Sequence, residues 1–318
     1  MLALDPAQVP DFDRVESSFP LRVPQSFVER MVPGDPNDPL LRQVLPVRQE
    51  RFEVDGFRAD PLEESEALAA PGLLHKYHGR VLMITTGACG VHCRYCFRRH
   101  FPYEQQAGRS RWEPALAYVA SDPTIEEVIL SGGDPLAMTD ARLRDLVLAI
   151  AEIPHVRRLR VHARMPIVLP SRVGDALLEW LTETRLESVV VVHANHPQEI
   201  GQEVQKALRQ IVRAGVTVLN QAVLLRGIND DAGTLASLSK RLFAAGVLPY
   251  YLSLLDKVAG AAHFEVSVED ARRLHWELIG RLPGYLIPRF VREIPSAASK
   301  VPLFLESPHD SPEDMSGI

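Results

Sequence analysis

An open β/α barrel of six strand–helix units with an N-terminal helical extension is the α/β architecture predicted here, on three features of the sequence. Apolar runs of strand length alternate with helical periods between residues 80 and 282. Those runs are rich in Val, Ile and Leu along their whole length, as parallel strands covered on both faces must be. Polar and glycine-bearing motifs follow the runs, where the carboxyl ends of parallel strands meet ligands. The alternation alone also suits a doubly wound sheet, and the strand-end motifs favour the barrel.

The chain divides into 1–78, 79–282 and 283–318. The first part is rich in Pro and charge, with PGDPNDP (33–39) as a loop and SFVERM and LLRQVL as helical pieces. Asp60-Pro61-Leu62-Glu63-Glu64 reads as a helix start, and no catalytic constellation stands out there. The rhythm then begins with RVLMITT (80–86), a cysteine-bearing loop and a helical stretch around 113–120. IEEVILSGGDP (125–135) leads into TDARLRDLVLAIAEI, and VRRLRVHARMP (156–166) into VGDALLEWLTET. ESVVVVHANHP (187–197), VTVLNQAVLLRGIND (216–230) and VLPYYLSLLDK (247–257) open the remaining three units. The last part carries Lys300 and ends in ESPHDSPEDMSGI, an acidic tail with the composition of disorder.

Composition excludes several classes of function. With 46% hydrophobic and 24% charged residues, the 318-residue chain is an ordinary globular protein. A net charge of −6 gives no basic face for nucleic acid. No apolar run approaches the roughly 20 residues that cross a bilayer. The N-terminus, MLALDPAQVPDFDRVE, lacks the pattern of a secretory signal, so a cytoplasmic location is expected.

The chain has three cysteines, and all lie in TTGACGVHCRYCFRR as Cys89, Cys93 and Cys96, spaced C-x3-C-x2-C. Three thiolates this close can hold three irons of a 4Fe-4S cluster and leave the fourth open to another ligand. Zinc is the competing reading, with His92 or His100 as fourth ligand, although structural zinc sites usually pair two separated clusters. A disulfide does not suit an odd number of thiols in a reducing compartment.

Ser131, Gly132, Gly133 and Asp134 form SGGDP, where glycines allow a polar ligand close to the backbone. His193 and His196 in HANHP (193–197) read as structural hydrogen-bonders rather than acid–base groups. Arg80, Arg98 and Arg164 are candidate anion binders, because the guanidinium fork suits carboxylate and phosphate. Lys300, in PRFVREIPSAASKVPLF (288–304), is by default a surface charge. A catalytic role for it would require an aldehyde such as pyridoxal 5′-phosphate (PLP).

The motif C-x3-C-x-aromatic-C, with Tyr95 as the aromatic, resembles the signature of radical S-adenosyl-L-methionine (SAM) enzymes. In order, CGVHCRYCFRR, SGGDP, HANHPQEI, NQAVLLRGIND, PYYLSLLDKVAGAAHF and REIPSAASK are similar to the lysine 2,3-aminomutase family of those enzymes, from His75 to about Leu305. The resemblance implies a radical SAM partial barrel and three cofactors: a 4Fe-4S cluster on Cys89, Cys93 and Cys96, SAM at the SGGDP turn, and PLP on Lys300. It implies that Arg98 meets the carboxylate of L-lysine and that Asp256 and Glu293 hold its distal ammonium. Arg80 and Arg164 match phosphate-side positions. Hydrogen would leave C3 of lysine and nitrogen would move from C2 to C3, an external reductant supplying the electron.

Glu293 replaces the aspartate of the catabolic enzymes, and SAAS replaces a glycine-rich run before Lys300. The chain also ends without their cysteine-bearing zinc segment. These departures resemble the branch that makes (R)-β-lysine for elongation factor P. A separate ligase then attaches the product, and the sequence gives no sign of direct binding to factor or ligase. A catabolic or other amino-acid aminomutase, and a non-enzymatic iron–sulfur redox protein, are the alternatives. Two acidic residues for a distal cation oppose glutamate as substrate, and SGGDP with Lys300 is more than an electron carrier needs.

Overall fold

The computed structural model describes residues 2–4, 19–108 and 112–303; the acidic tail lies outside the described residues. Ten strands form one sheet in strictly sequential order. They are β1 (Leu68–Ala70), β2 (Leu73–Tyr77), β3 (Arg80–Thr86), β4 (Glu127–Gly132), β5 (Arg158–Ala163), β6 (Glu187–Val192), β7 (Thr217–Val223), β8 (Leu248–Ser253), β9 (Arg289–Arg292) and β10 (Val301–Pro302). Every neighbouring pair from β3 to β9 is parallel. A doubly wound sheet reverses its strand order at a switch point. This order never reverses, and no pairing joins β10 back to β1 among the described residues, so the sheet curls as an open barrel.

The helices form where apolar residues recur at helical spacing. Gln202–Arg213 buries Val204, Ala207, Leu208 and Ile211, and Asp140–Ala151 buries Leu143, Leu146, Val147 and Ile150. Both follow the i, i+3, i+4, i+7 pattern of one helix face. Side-chain caps start two others: Asp231 accepts from Thr234 N at 2.8 Å, and Ser267 from Asp270 N at 3.0 Å.

The strands have two different faces. In β5, Leu159, Val161 and Ala163 pack into the main core, while Arg160 and His162 alternate with them. Arg160 pairs with Glu127 of β4 on that second face. One face therefore binds the sheet to its helices, and the other carries polar groups into the barrel.

Two elements differ from the expectation. The sequence of residues 1–78 predicts helices, yet the described helices there are single turns, and the sheet is extended by β2, antiparallel to β3, and by β1, antiparallel to β2. Gly72 and Gly79 adopt φ of +74° and +72°, which turns the chain on either side of β2. Beyond the sixth unit, β9 adds a seventh parallel strand and β10 folds back on it, with Val301 opposite Arg292. β9 has only four residues, too few to show a period.

Candidate active site

The cysteine loop leaves β3 and lies against the SGGDP turn at the end of β4. Gly133 N donates to Thr86 O at 2.7 Å, and Asp134 N to Ala88 O at 2.8 Å. A Cβ on Gly133 would come within 2.4 Å of Ala88 O, and one on Gly132 (φ +130°) within 2.4 Å of Thr86 O. The two glycines are thus required by the packing of the cysteine loop itself, in addition to any ligand the turn holds. Asp134, expected at the cofactor, is itself tied to the backbone. Its carboxylate accepts from Leu136 N, Arg164 N and Met165 N at 3.0, 2.7 and 2.9 Å, which ties the turn to the end of β5. Burial pushes this carboxyl up to about 6 despite those bonds.

Arg98, two residues past Cys96, points inward. Its Nε and Nη2 each lie 2.7 Å from a Glu64 oxygen, and Nη1 donates to Ser131 Oγ at 3.0 Å. Burial lowers an arginine, but the paired Glu64 carboxylate more than offsets it and raises the guanidinium above its ordinary value. One edge of the fork is held by Glu64, and each of the two Nη nitrogens retains one further N–H for another anion.

Glu293 follows β9 and Lys300 precedes β10, so the strand reversal brings them together. Lys300 Nζ sits 2.7 Å from Glu293 Oε2, and Lys76 Nζ sits 3.5 Å from Oε1. The Tyr77 hydroxyl also bonds Glu293. Burial would raise the Glu293 carboxyl, but the Lys300 and Lys76 ammoniums and Tyr77 hold it below its ordinary value. Asp256 feels the same cluster. Burial and the charge of Glu293 push it up to about 7, against the pull of Lys300. The Lys300 ammonium stands 6.0 Å from the centre of the Tyr251 ring.

His162 of β5 and His193, just past β6, meet edge to face at 5.5 Å. Burial lowers both, His193 to about 4, and neighbouring Lys300 and Arg98 charges act in the same direction. Both imidazoles are therefore neutral near pH 7. Their Nε2 atoms, and Ser253 Oγ at the end of β8, are buried without a hydrogen-bond partner.

Arg164, expected on the phosphate side, is held by four partners. Its Nη1 donates to Cys93 Sγ at 2.7 Å and to the Tyr95 hydroxyl, while Nη2 donates to Gln43 Oε1 and Glu199 Oε2 at 2.7 and 3.2 Å. All four Nη hydrogens are committed, because the N-terminal segment delivers Gln43 into the barrel mouth. Arg80 instead lies over the Tyr77 ring at 4.8 Å and makes no ion pair among the described residues. HANHP and NQAVLLRGIND prove to be loop fasteners. Asn195 Oδ1 accepts from Val223 N, Asn229 Nδ2 donates to Asn195 O and Val223 O, and Asn220 bonds both polar atoms of the Ala194 backbone.

The structure thus brings Arg98, Ser131, Asp256, Glu293 and Lys300 to one polar interior, with the cysteine loop at its rim. Glu64, Lys76, Tyr77 and His162 join them without having been singled out in the sequence, and Tyr251 comes from the PYYLSLLDKVAGAAHF motif. The alternation Arg158, Arg160, His162 in β5, continued by Arg164 just past its end, was a usable signal, since a strand buried on two apolar faces would not carry it.

Comparisons with known proteins agree with this geometry. No family model matches the chain. The L-lysine 2,3-aminomutase of Escherichia coli (strain K12) is 52% identical over 289 residues, 91% of this chain and 84% of the relative. The L-lysine 2,3-aminomutase of Haemophilus influenzae is 48% identical over 89% of this chain and 84% of its own, and that of Clostridium subterminale 34% over 90% and 69%. The chain belongs to the lysine 2,3-aminomutase family. The crystal structure of Streptococcus suis SuiB shares the fold, with a TM-score of 0.51 at 14% identity over 69% of this chain and 50% of that one.

As a lysine 2,3-aminomutase homologue the protein is an isomerase, and membership implies a 4Fe-4S cluster, SAM and PLP. The aminomutase residues fit these groups. The thiols of Cys89 and Cys96 are pushed up by burial first and then by neighbouring cysteines, Cys96 to about 11, which places these sulfurs within reach of one another's charge. Among the described residues no three His, Cys, Asp or Glu close on a single metal ion. A cluster separates its irons with sulfide and needs thiols spread more widely than one ion does. The orphaned atoms of His162 and His193, which feel the Lys300 and Arg98 charges, and that of Ser253 fit a polar cofactor.

Proposed function

We propose that this protein converts L-lysine to (R)-β-lysine for the modification of elongation factor P, in the cytoplasm and with an external reductant. One observation carries the reading: Lys300 lies against Glu293 with the Asp256 carboxyl in range of both charges, while Arg98, held by Glu64, keeps N–H groups for an anion. Arg98 supplies the cation, Asp256 and Glu293 the carboxylates, and Lys300 the point of attachment. A lysine substrate tethered by its α-amino group presents one anion and one distant cation, which is the complementary pattern. When bound, PLP on Lys300 supplies a carrier for the migrating nitrogen, and the cluster on Cys89, Cys93 and Cys96 with SAM supplies one-electron chemistry at C3.

The chain's own residues do the rest. Glu64 fixes the plane of Arg98 so that its outer edge faces the substrate carboxylate. Glu293 releases the Lys300 ammonium once that lysine is occupied, and so becomes available to the distal ammonium. Neutral His162 and His193 offer hydrogen bonds without adding charge. Glu293, in place of aspartate, and the SAAS run favour the elongation factor P branch over catabolism.

An anaerobic assay with SAM, PLP and dithionite tests the proposal, with L-lysine and L-glutamate supplied separately and products resolved by chiral chromatography. (R)-β-lysine is the expected product. The (S) isomer would move the protein to catabolism, and no β-lysine from a fully loaded enzyme would refute the substrate.

Asp256 gives a pH dependence. Its carboxyl must ionise to hold an ammonium, so kcat/KM for lysine should rise with pH, by up to about tenfold per unit below pH 7. The midpoint should lie at about 7 or above, because the Lys300 ammonium that opposes the shift would be lost when that lysine holds PLP. Stability runs the other way: the folded state keeps a proton that the unfolded chain releases, so this group's contribution falls as pH rises from about 4 through 7. Asp256→Asn should flatten the rising limb and raise KM about 10- to 100-fold. An unchanged limb in that variant would assign it to another group.

A further inference from the structure

Arg164 is the one buried cation that touches a cysteine side chain, among the described residues, and the substrate contacts proposed above do not use it. We propose that Arg164 is a positioning residue for the cluster's redox state: by donating to the Cys93 sulfur it raises the reduction potential of a cluster held by Cys89, Cys93 and Cys96. The inference rests on those three thiols being the cluster ligands.

Four contacts fix the guanidinium. Gln43 comes from the N-terminal segment, Tyr95 and Cys93 from the cysteine loop, and Glu199 from the segment after β6. The side chain is only 6% exposed and Glu199 not at all, so the charge acts in a weakly screened interior. Glu199 accepts from Nη2, whereas Nη1 is the nitrogen that faces the sulfur at 2.7 Å. The donor end of this ion pair therefore points at the cluster site, and its acceptor end points away. Cys96 differs, since it accepts a backbone N–H from Arg98. The Arg164 cation also lies 5.5 Å from the Tyr95 ring and 5.6 Å from the Phe27 ring, which further restrict its plane.

Adding an electron to the cluster increases the negative charge on its thiolate sulfurs. A guanidinium N–H aimed at one sulfur is worth more to the reduced form than to the oxidised one, and so moves the potential upward. Gln43 and Glu199 act through Arg164 by holding it there. The N-terminal segment is in this way coupled to the metal centre without contributing a ligand.

The test is a redox titration of the reconstituted holoprotein without SAM, followed by the electron paramagnetic resonance signal of the reduced cluster. Iron and sulfide contents of wild type come first: their absence would refute the cluster reading itself. With the cluster in place, Arg164→Gln should lower the ratio of reduced to oxidised cluster about tenfold at the wild-type midpoint, a shift of ~59 mV for one electron. Arg164→Lys should recover part of that shift. Gln43→Leu, which keeps the charge but removes an anchor, should show a smaller shift of the same sign. An unchanged midpoint in Arg164→Gln at full iron content overturns the proposal. If that variant holds no cluster, an unchanged midpoint in Gln43→Leu overturns it instead.

Discussion

Lys300→Ala is expected to abolish the visible absorbance of protein-bound PLP and to cut turnover by at least about a thousandfold. The expectation comes from position. Lys300 reaches the polar interior from the short connection between β9 and β10, where it meets Glu293 at 2.7 Å. The side chains of the pair are 20% and 16% exposed, so the amine is accessible to a cofactor yet largely withdrawn from water. Lys76 is the competing amine. It donates to Leu62 O at 3.0 Å and stands farther from Glu293, at 3.5 Å, which suits a fixed charge. Lys76→Ala should therefore keep the PLP absorbance. The comparison also covers misassignment: PLP retained without Lys300 and lost without Lys76 would exchange their roles. Iron content and melting temperature of Lys300→Ala should stay close to wild type, because its side chain sits in no apolar core.

Gly133→Ala should have the second largest effect, and on the metal rather than on PLP. The new Cβ would lie 2.4 Å from Ala88 O and 2.8 Å from the carbonyl carbons of Gly87 and Ala88. All three atoms are backbone, so no flexible side chain can give way, and the chain leading to Cys89 must move. Overpacking of this kind costs about 1–3 kcal/mol. Iron bound per chain after anaerobic reconstitution should fall severalfold, with a lower melting temperature. Gly280→Ala is the control. Gly280 is exposed near the end of the Val268–Arg281 helix, and a methyl group there would have nothing within 4 Å. Alanine at that position should be neutral or stabilise by up to about 1 kcal/mol. Wild-type iron content in Gly133→Ala would mean that the loop does not depend on this contact.

Much of the chain was legible because the relevant forces are local. Val190 and Val192 of β6, or the Val204–Ile211 stripe, disclose their elements through spacing that depends on one strand or one helix. The three thiols announce a metal site because their chemistry and their closeness are both written in the chain. Lys300 and Glu293, seven residues apart, were also visible, as parts of a family motif. Short elements were not: the β1–β2 hairpin and β9 have three to five residues each, and they exist because a sheet edge offers them hydrogen bonds.

The order of strands and helices, the cysteine loop and the identity of the charged groups near the strand ends are all written in the primary structure. What each charge faces is settled only in three dimensions. Arg164 meets Cys93 because Gln43, 121 residues away, and Glu199 enclose it. Arg98 acquires Glu64 from a segment with no motif, and the SGGDP glycines serve the loop beside them. A buried charge must be paired with whatever the fold brings within a few ångströms, and that choice is made by packing between distant segments. No periodicity within a segment records it.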